Sequence, residues 1–510
     1  MHKHFANVVW VYLATFLVIP ITYTIRIMYA QNLSLEDFGI FYGLFAFFAF
    51  FGFFRDWGLN NAVIYFANKY TSQNRPDKIK TLFWFNQIFQ LILSIFIGIL
   101  LILLKNYIIN TFYPVEDNIS KIFSIFILYW IVFTIYNTNT VFLTIFQNQK
   151  ANAFLNFIYF GLILIVSVFL FNSTFQNFII PTFAYLFSAI FSVIISMFYI
   201  LHKYKAKLIV PAFYKQKDLF SEVFVFASSV ILAGVAGTLM SSSDKIIIQY
   251  FKNANVVAIY SVAFSTAILL TIFVAPFQKV IQPILSEKWH KKEIAGIEYI
   301  VSAIFNNYLM FILPLVLSFI VFADNFVLAV YGQEFISAAF IIKILAVGVL
   351  IMTINSFMSV ILSSLGKPKI LSKVVVITAV CNVILSVFFI IFWGILGVAL
   401  ATVLSSILRL YLYSREITKI IKINFDILNN FKIILSSALF LIISFVLKYT
   451  IYKVYVDKVM INFFLNCLII FGIAGIFYVI SLFLSKTITI LKINQFKEIV
   501  YANEKIDYEK

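Results

Sequence analysis

Charge is scarce in this chain: Asp, Glu, Lys and Arg make up 12% of its 510 residues, about half the share in an ordinary soluble domain. So few charges cannot clothe the water-facing surface of several domains, which excludes a soluble protein of this length. Cysteine occurs twice, as Cys381 and Cys467, both in apolar runs and far apart, so neither a disulfide nor a thiolate metal site is expected. The four histidines, His2, His4, His202 and His290, form no cluster with metal-ligand spacing, and HExxH is absent. A phosphate-cradling loop is missing as well. The nearest stretch, LSSLGKPK, lacks the leading Gly and the Ser or Thr after the lysine, which removes ATP hydrolysis. No long connection carries paired carboxylates for acid–base or metal chemistry, because Glu36-Asp37 and Glu116-Asp117 lie on short ones. The chain is therefore read as a non-enzyme without cofactor or bound metal.

What is present is apolar. Hydrophobic residues make up 63% of the chain. With about 20 residues needed to cross about 30 Å of hydrocarbon, fourteen spans are expected. They cover 5–26, 38–66, 81–104, 122–146, 153–171, 178–201, 219–243, 255–278, 297–322, 336–362, 370–393, 395–411, 431–447 and 461–485. The runs lack the alternation of a barrel strand, and only helices satisfy every backbone amide in lipid, so the fold class is an all-α integral membrane protein. The opening MHKHFANVVW resembles a signal peptide in charge, but its apolar run is too long and no small-residue cleavage site follows.

The net charge of +17 follows topology rather than a nucleic-acid partner. With a cytoplasmic N-terminus, 28 of the 38 Lys and Arg fall on the cytoplasmic side, as the positive-inside rule requires. Eight fall near the outer side: Arg26, Lys105, Lys121, Lys245, Lys252, Lys448, Lys453 and Lys458. A multi-pass protein of the cytoplasmic membrane with both termini inside is expected.

Shifting the chain by 219 residues lays Arg26-Ile27 on Lys245-Ile246, Gly39-Ile40-Phe41 on Ala258-Ile259-Tyr260, and Phe45 on Phe264. Span 1 then matches span 7, and span 2 matches span 8. This divides the chain into a six-helix lobe over 1–201, a basic linker over 202–218, a second six-helix lobe over 219–415, two added helices within 416–485, and a tail over 486–510.

The remaining two bases, assigned to neither side, are Arg55 and Lys343, which sit inside spans. Arg55 sits about 25 Å along its helix from Phe38, beside Asp56, and apolar residues continue beyond it. The pair either neutralises itself, with Arg55 reaching for headgroups, or faces a wet cavity where Arg55 offers a forked donor to an anion. Arg26 closes span 1, Asp244-Lys245 closes span 7, and Lys343 lies in FIIKILAVGVL. The acidic partners expected for these four cations are only Asp56 and Asp244, so an inner surface with excess positive charge would attract phosphate. Pro20, Pro276 and Pro314 lie within spans and permit bends.

The run IRIMYAQNLSLEDFGIFYGLFAFFAFFGFFRDWGLNNAVIYFA over 25–67 resembles the first two helices of the polysaccharide-transporter branch of the MOP flippase superfamily. DKIIIQYFKNANVVAIYSVA over 244–263 and VAPFQKVIQPILSE over 274–287 resemble its seventh and eighth helices. The region from LSSLGKPK to SSILRL over 362–410 resembles its tenth to twelfth. Together these imply two six-helix lobes around a central cavity that opens to one side at a time. The substrate implied is a glycan linked through pyrophosphate to a polyprenyl lipid, with membrane lipids, a polysaccharide polymerase and glycosyltransferases as partners. A cationic cavity is also implied, at Arg26, Arg55 and Lys245; Lys343 joins them by depth alone. The alternatives within the fold are a peptidoglycan-precursor flippase and a cation-coupled drug exporter. The exporter should carry an acid in the first lobe's cavity, and span 1 has none between Phe5 and Ile25.

Overall fold

Long apolar runs broken by Gly, Pro and small polar clusters give helix after helix. The computed structural model describes residues 2–113, 119–146, 148–173, 179–208, 217–273, 275–451 and 459–487, with side chains from Phe16 onward except at 205–208, 217–218, 229–230, 232–233, 273, 275–277, 279–280, 451 and 459–460. Glu116, Asp117, Lys453 and Lys458, and the tail beyond Thr487, lie outside the described residues.

Sixteen α-helices run through the described residues. They begin with α1 (His2–Asn32), α2 (Leu35–Asp56), α3 (Leu59–Ser72), α4 (Pro76–Leu103), α5 (Lys105–Phe112) and α6 (Ile119–Ile145). Next come α7 (Gln149–Phe171), α8 (Ile180–Leu208), α9 (Lys217–Phe251), α10 (Ala254–Ile268) and α11 (Ala275–His290). The series ends with α12 (Ile294–Val330), α13 (Ala338–Ser364), α14 (Pro368–Ile417), α15 (Ile427–Ile451) and α16 (Val459–Leu484). Eleven stretches among them are long and apolar enough to cross a membrane, so the chain is a multi-pass membrane protein.

The expected spans map onto these helices with two corrections. Span 38–66 is not one helix: Trp57 (φ 48) and Gly58 (φ 74) are both left-handed, which ends α2 and restarts the chain as α3. Span 255–278 is also divided, into α10, a 3₁₀ turn over Leu269–Phe273, and α11, with Pro276 in its first turn. The boundary expected at 394 is a sharp break inside α14, where Gly394 has φ 58 and ψ −139. Pro20 and Pro314 stay inside continuous helices. The basic segment 202–218 begins as the end of α8, which runs to Leu208.

Two compact units emerge from the packing, one of residues 1–262 and 372–401, the other of 263–371 and 402–510. They are drawn differently from the two six-span halves, since α9, most of α10 and part of α14 group with the first. Within the first unit the 219-residue offset holds at helix ends. α1 ends at Asn32 and α9 at Phe251, while α2 begins at Leu35 and α10 at Ala254. Gly39 of α2 lies so close to α10 that a Cβ there would overlap the carbonyl oxygen of Ala254.

In the second unit, α15 and α16 pack on α12 through Phe322, Phe463 and Ile470. Tyr478 donates to the Met310 carbonyl at 2.8 Å, and Lys448 to that of Val321 at 2.8 Å. The segment entering α15 is held on α12 as well. Lys422, Asn424 and Asp426 donate backbone N–H groups to Glu298, Ser302 and Asn306 at 2.6, 3.0 and 2.9 Å. Four residues of helix rise about 6 Å and two of extended chain about 6.6 Å, so the two spacings match.

Candidate functional site

Helix α2 is the spine of the site. Ser34 caps its start, accepting from the Asp37 amide at 3.1 Å, and Glu36 and Asp37 in the first turn suit the positive end of the helix. At the other end the break at Trp57-Gly58 explains why an Arg and an Asp stand together. Asp56 caps the helix that follows: its Oδ1 accepts from the backbone N–H of Asn60 at 3.0 Å.

Arg55 faces elsewhere, because successive helical residues point about 100° apart. It is 5% exposed, donates from Nη1 to the Thr134 hydroxyl at 3.0 Å, and holds its guanidinium carbon 5.6 Å from the centre of the Trp130 ring. Thr134 spends its own proton on the Trp130 carbonyl at 2.9 Å, leaving its oxygen to accept from Arg55. No ion pair joins Arg55 to Asp56 among the described residues, so the two do not neutralise each other directly. The Arg55 Nε is buried without a partner. Both residues line a cavity of about 320 Å³, together with Tyr129, Trp130, Asn60 and Asn137. The cavity therefore does contain an acid, supplied by the end of α2 rather than by span 1.

Arg26 and Lys245, equivalent under the 219-residue offset, meet on one ring. The Arg26 guanidinium carbon lies 4.9 Å and the Lys245 Nζ 5.8 Å from the centre of Tyr42, and Arg26 Nε donates to the Tyr42 hydroxyl at 3.3 Å. Neither base lines the Arg55 cavity. Tyr42 and Arg55 are 13 residues apart on one helix, about 20 Å along its axis. The three bases thus form two stations, not one. Asp244, beside Lys245, is buried and accepts from the Tyr260 hydroxyl at 2.6 Å and the Ser386 hydroxyl at 3.4 Å.

Lys343 belongs to the second unit, on α13, and its Nζ is 2.6 Å from the Asp324 carboxylate of α12. The sequence reading passed over Asp324, which lies two residues beyond the expected end of its span. Its lone carboxylate, 19 residues before Lys343, carries no spacing signal. Tyr42, Trp130 and Thr134 were missed because each is one aromatic or hydroxyl among many. Among the described residues no three His, Cys, Asp or Glu gather into a metal-holding group.

Residues 5–289 match the family described as polysaccharide biosynthesis protein. The chain belongs to that family. It is 30% identical over 421 residues to an uncharacterized membrane protein of Methanocaldococcus jannaschii, covering 79% of this chain and 81% of that one. It is also 25% identical over 243 residues to the probable low-salt glycan biosynthesis flippase Agl15 of Haloferax volcanii, covering 48% of this chain and 51% of that one. Among solved structures, the lipid II flippase MurJ in an inward closed conformation superposes with a TM-score of 0.70 at 17% identity, over 92% of this chain and 99% of that chain. An inward-facing MATE family transporter of the MOP superfamily superposes with a TM-score of 0.67 at 11% identity, over 78% and 94%. At those identities the likeness is one of fold, and the fold is that of membrane transporters, not of enzymes.

Proposed function

We propose that this protein is a flippase that carries a polyprenyl-pyrophosphate-linked oligosaccharide from the cytoplasmic to the outer leaflet of the cytoplasmic membrane, with both termini inside. The observation that carries the reading is Arg55, a buried guanidinium with an unpartnered Nε on the wall of a cavity. A buried charge without a carboxylate is costly in a membrane protein and marks a ligand path. Its planar fork matches the oxygens of a phosphate. Arg26 and Lys245 on Tyr42 supply a second cationic station. Since the two stations are about 20 Å apart along α2, a single diphosphate visits them in turn.

In this reading the headgroup enters from the cytoplasm, the tail remains in lipid, and two lobes related by the 219-residue offset rock to expose the cavity to either side. An anion leaving a negative interior gains about 2.3 kcal/mol per charge per 100 mV, so the membrane potential favours export. Lys343, held by Asp324, is left out of the gripping set. Polysaccharide polymerase and glycosyltransferases are the partners such a substrate requires.

The fold of the lipid II flippase supports a second reading, a peptidoglycan-precursor substrate, which offers the same diphosphate and a similar tail. Deleting the gene and analysing membrane lipids separates the two. Accumulation of a sugar-diphosphate lipid on the cytoplasmic leaflet supports the flippase, and its headgroup names the substrate. Normal lipid levels, or full export with Arg26, Arg55 and Lys245 all replaced by Gln, reject the cationic-site mechanism.

A further inference from the structure

Behind the cavity wall, α2, α3 and α4 meet in a knot of amides around one carboxylate. Gln90 of α4 is fully buried, and its Nε2 lies 2.9 Å from Asn60 Oδ1, 2.9 Å from Asn86 Oδ1 and 3.3 Å from Asp56 Oδ1. Asn86, itself 3% exposed, donates to Asn60 Oδ1 at 3.1 Å. Three oxygens therefore converge on one nitrogen that has only two protons. At the same time Gln90 Oε1 is buried with no partner at all. A purely structural amide cluster has no reason to crowd its acceptors at one end of Gln90 and strand the acceptor at the other. Turning the Gln90 amide over, an O/N assignment that hydrogen bonding alone decides, brings Oε1 to face the other three oxygens, an arrangement that a cation between them would hold together.

We propose that Asp56, Asn60, Asn86 and Gln90 form a binding site for a sodium ion. The ligands are hard oxygens without nitrogen or sulfur, the preference of alkali and alkaline-earth cations. One carboxylate among three neutral amides balances a single positive charge, and no second acid takes part in these contacts to favour a divalent ion. Asp56 and Asn60 line the cavity that Arg55 lines, whereas Asn86 and Gln90 do not, so the ion enters from the cavity and is closed in from behind. Arg55 leaves the site to the ion, since its guanidinium is turned to Thr134 and Trp130. Asp56 also caps α3, so occupation of the site bears directly on the break between α2 and α3. The proposal concerns ion binding alone and stands whether or not the transported molecule is a glycan lipid.

The test uses the full-length protein in detergent, without any glycan. Thermal unfolding is followed while sodium chloride replaces N-methylglucamine chloride at constant ionic strength. The midpoint is expected to rise with sodium in the wild type. The isosteric Asp56→Asn and the oxygen-deleting Gln90→Leu are expected to lose that rise, and Gln90→Glu to bind calcium where the wild type does not. Should Gln90→Leu fail to fold, Asp56→Asn and Gln90→Glu carry the test. A wild-type midpoint indifferent to sodium, or an Asp56→Asn protein with an unchanged sodium response, would mean a structural amide network only and overturn the proposal.

Discussion

Replacing Arg55 by residues of similar length separates its charge from its shape. Its Nη1 is committed to Thr134, while Nε has no partner, so under the proposed function a phosphate in the cavity would gain two charge-assisted hydrogen bonds, from Nε and Nη2. At about 1.5 kcal/mol each, the low end for such bonds, the grip amounts to about 3 kcal/mol. Arg55→Gln should then slow outward movement of a sugar-diphosphate lipid about 150-fold in proteoliposomes. Arg55→Lys keeps a point charge and one contact, and should lose only about tenfold. Stability runs the other way. An apolar side chain of the same length removes a buried charge that no ion-pair contact holds, so Arg55→Met should unfold at a higher temperature than wild type, by about 1 kcal/mol or more. The assays are leaflet-resolved lipid transport and thermal unfolding of the same preparations. A Met variant that is less stable and still transports would show that Arg55 is held for structure, and the reasoning from its unpartnered Nε would be refuted.

Gly39→Leu should prevent α2 and α10 from closing, because a Cβ already overlaps the Ala254 carbonyl; yield and monodispersity of the purified protein should fall, at a cost above about 3 kcal/mol. The Lys343–Asp324 pair has side chains 30% and 50% exposed, so Lys343→Gln should change stability by under about 1 kcal/mol and leave lipid transport within about twofold of wild type. At the turn before α4, Arg75 holds the Asp77 carboxyl below the usual carboxylate range by hydrogen bonds of 3.1 and 2.8 Å. That contribution is present above the unfolded pKa of about 3.9 and disappears as pH falls through the lower folded value. Asp77→Asn should therefore be slightly less stable at neutral pH, by under about 1 kcal/mol, and indistinguishable from wild type in strong acid.

Much of this protein could be read one residue at a time. Hydropathy is a local quantity, so the helices stand where the apolar runs are, and Gly394 marks the boundary between two of them in sequence and structure alike. The 219-residue offset read from matched residues falls on matching turns in the fold, from Asn32 to Leu35 and from Phe251 to Ala254. The relations between helices were not legible. Adjacent letters suggested that Arg55 and Asp56 form a pair, yet helical geometry turns them apart, one to Thr134 and Trp130 on α6 and the other to the start of α3. Tyr42 as the ring shared by Arg26 and Lys245, and Asp324 as the partner of Lys343, lie on different helices from the bases they hold. Their nearness is decided only when the helices pack, because backbone hydrogen bonding in lipid fixes each helix by itself and says nothing about which face meets which.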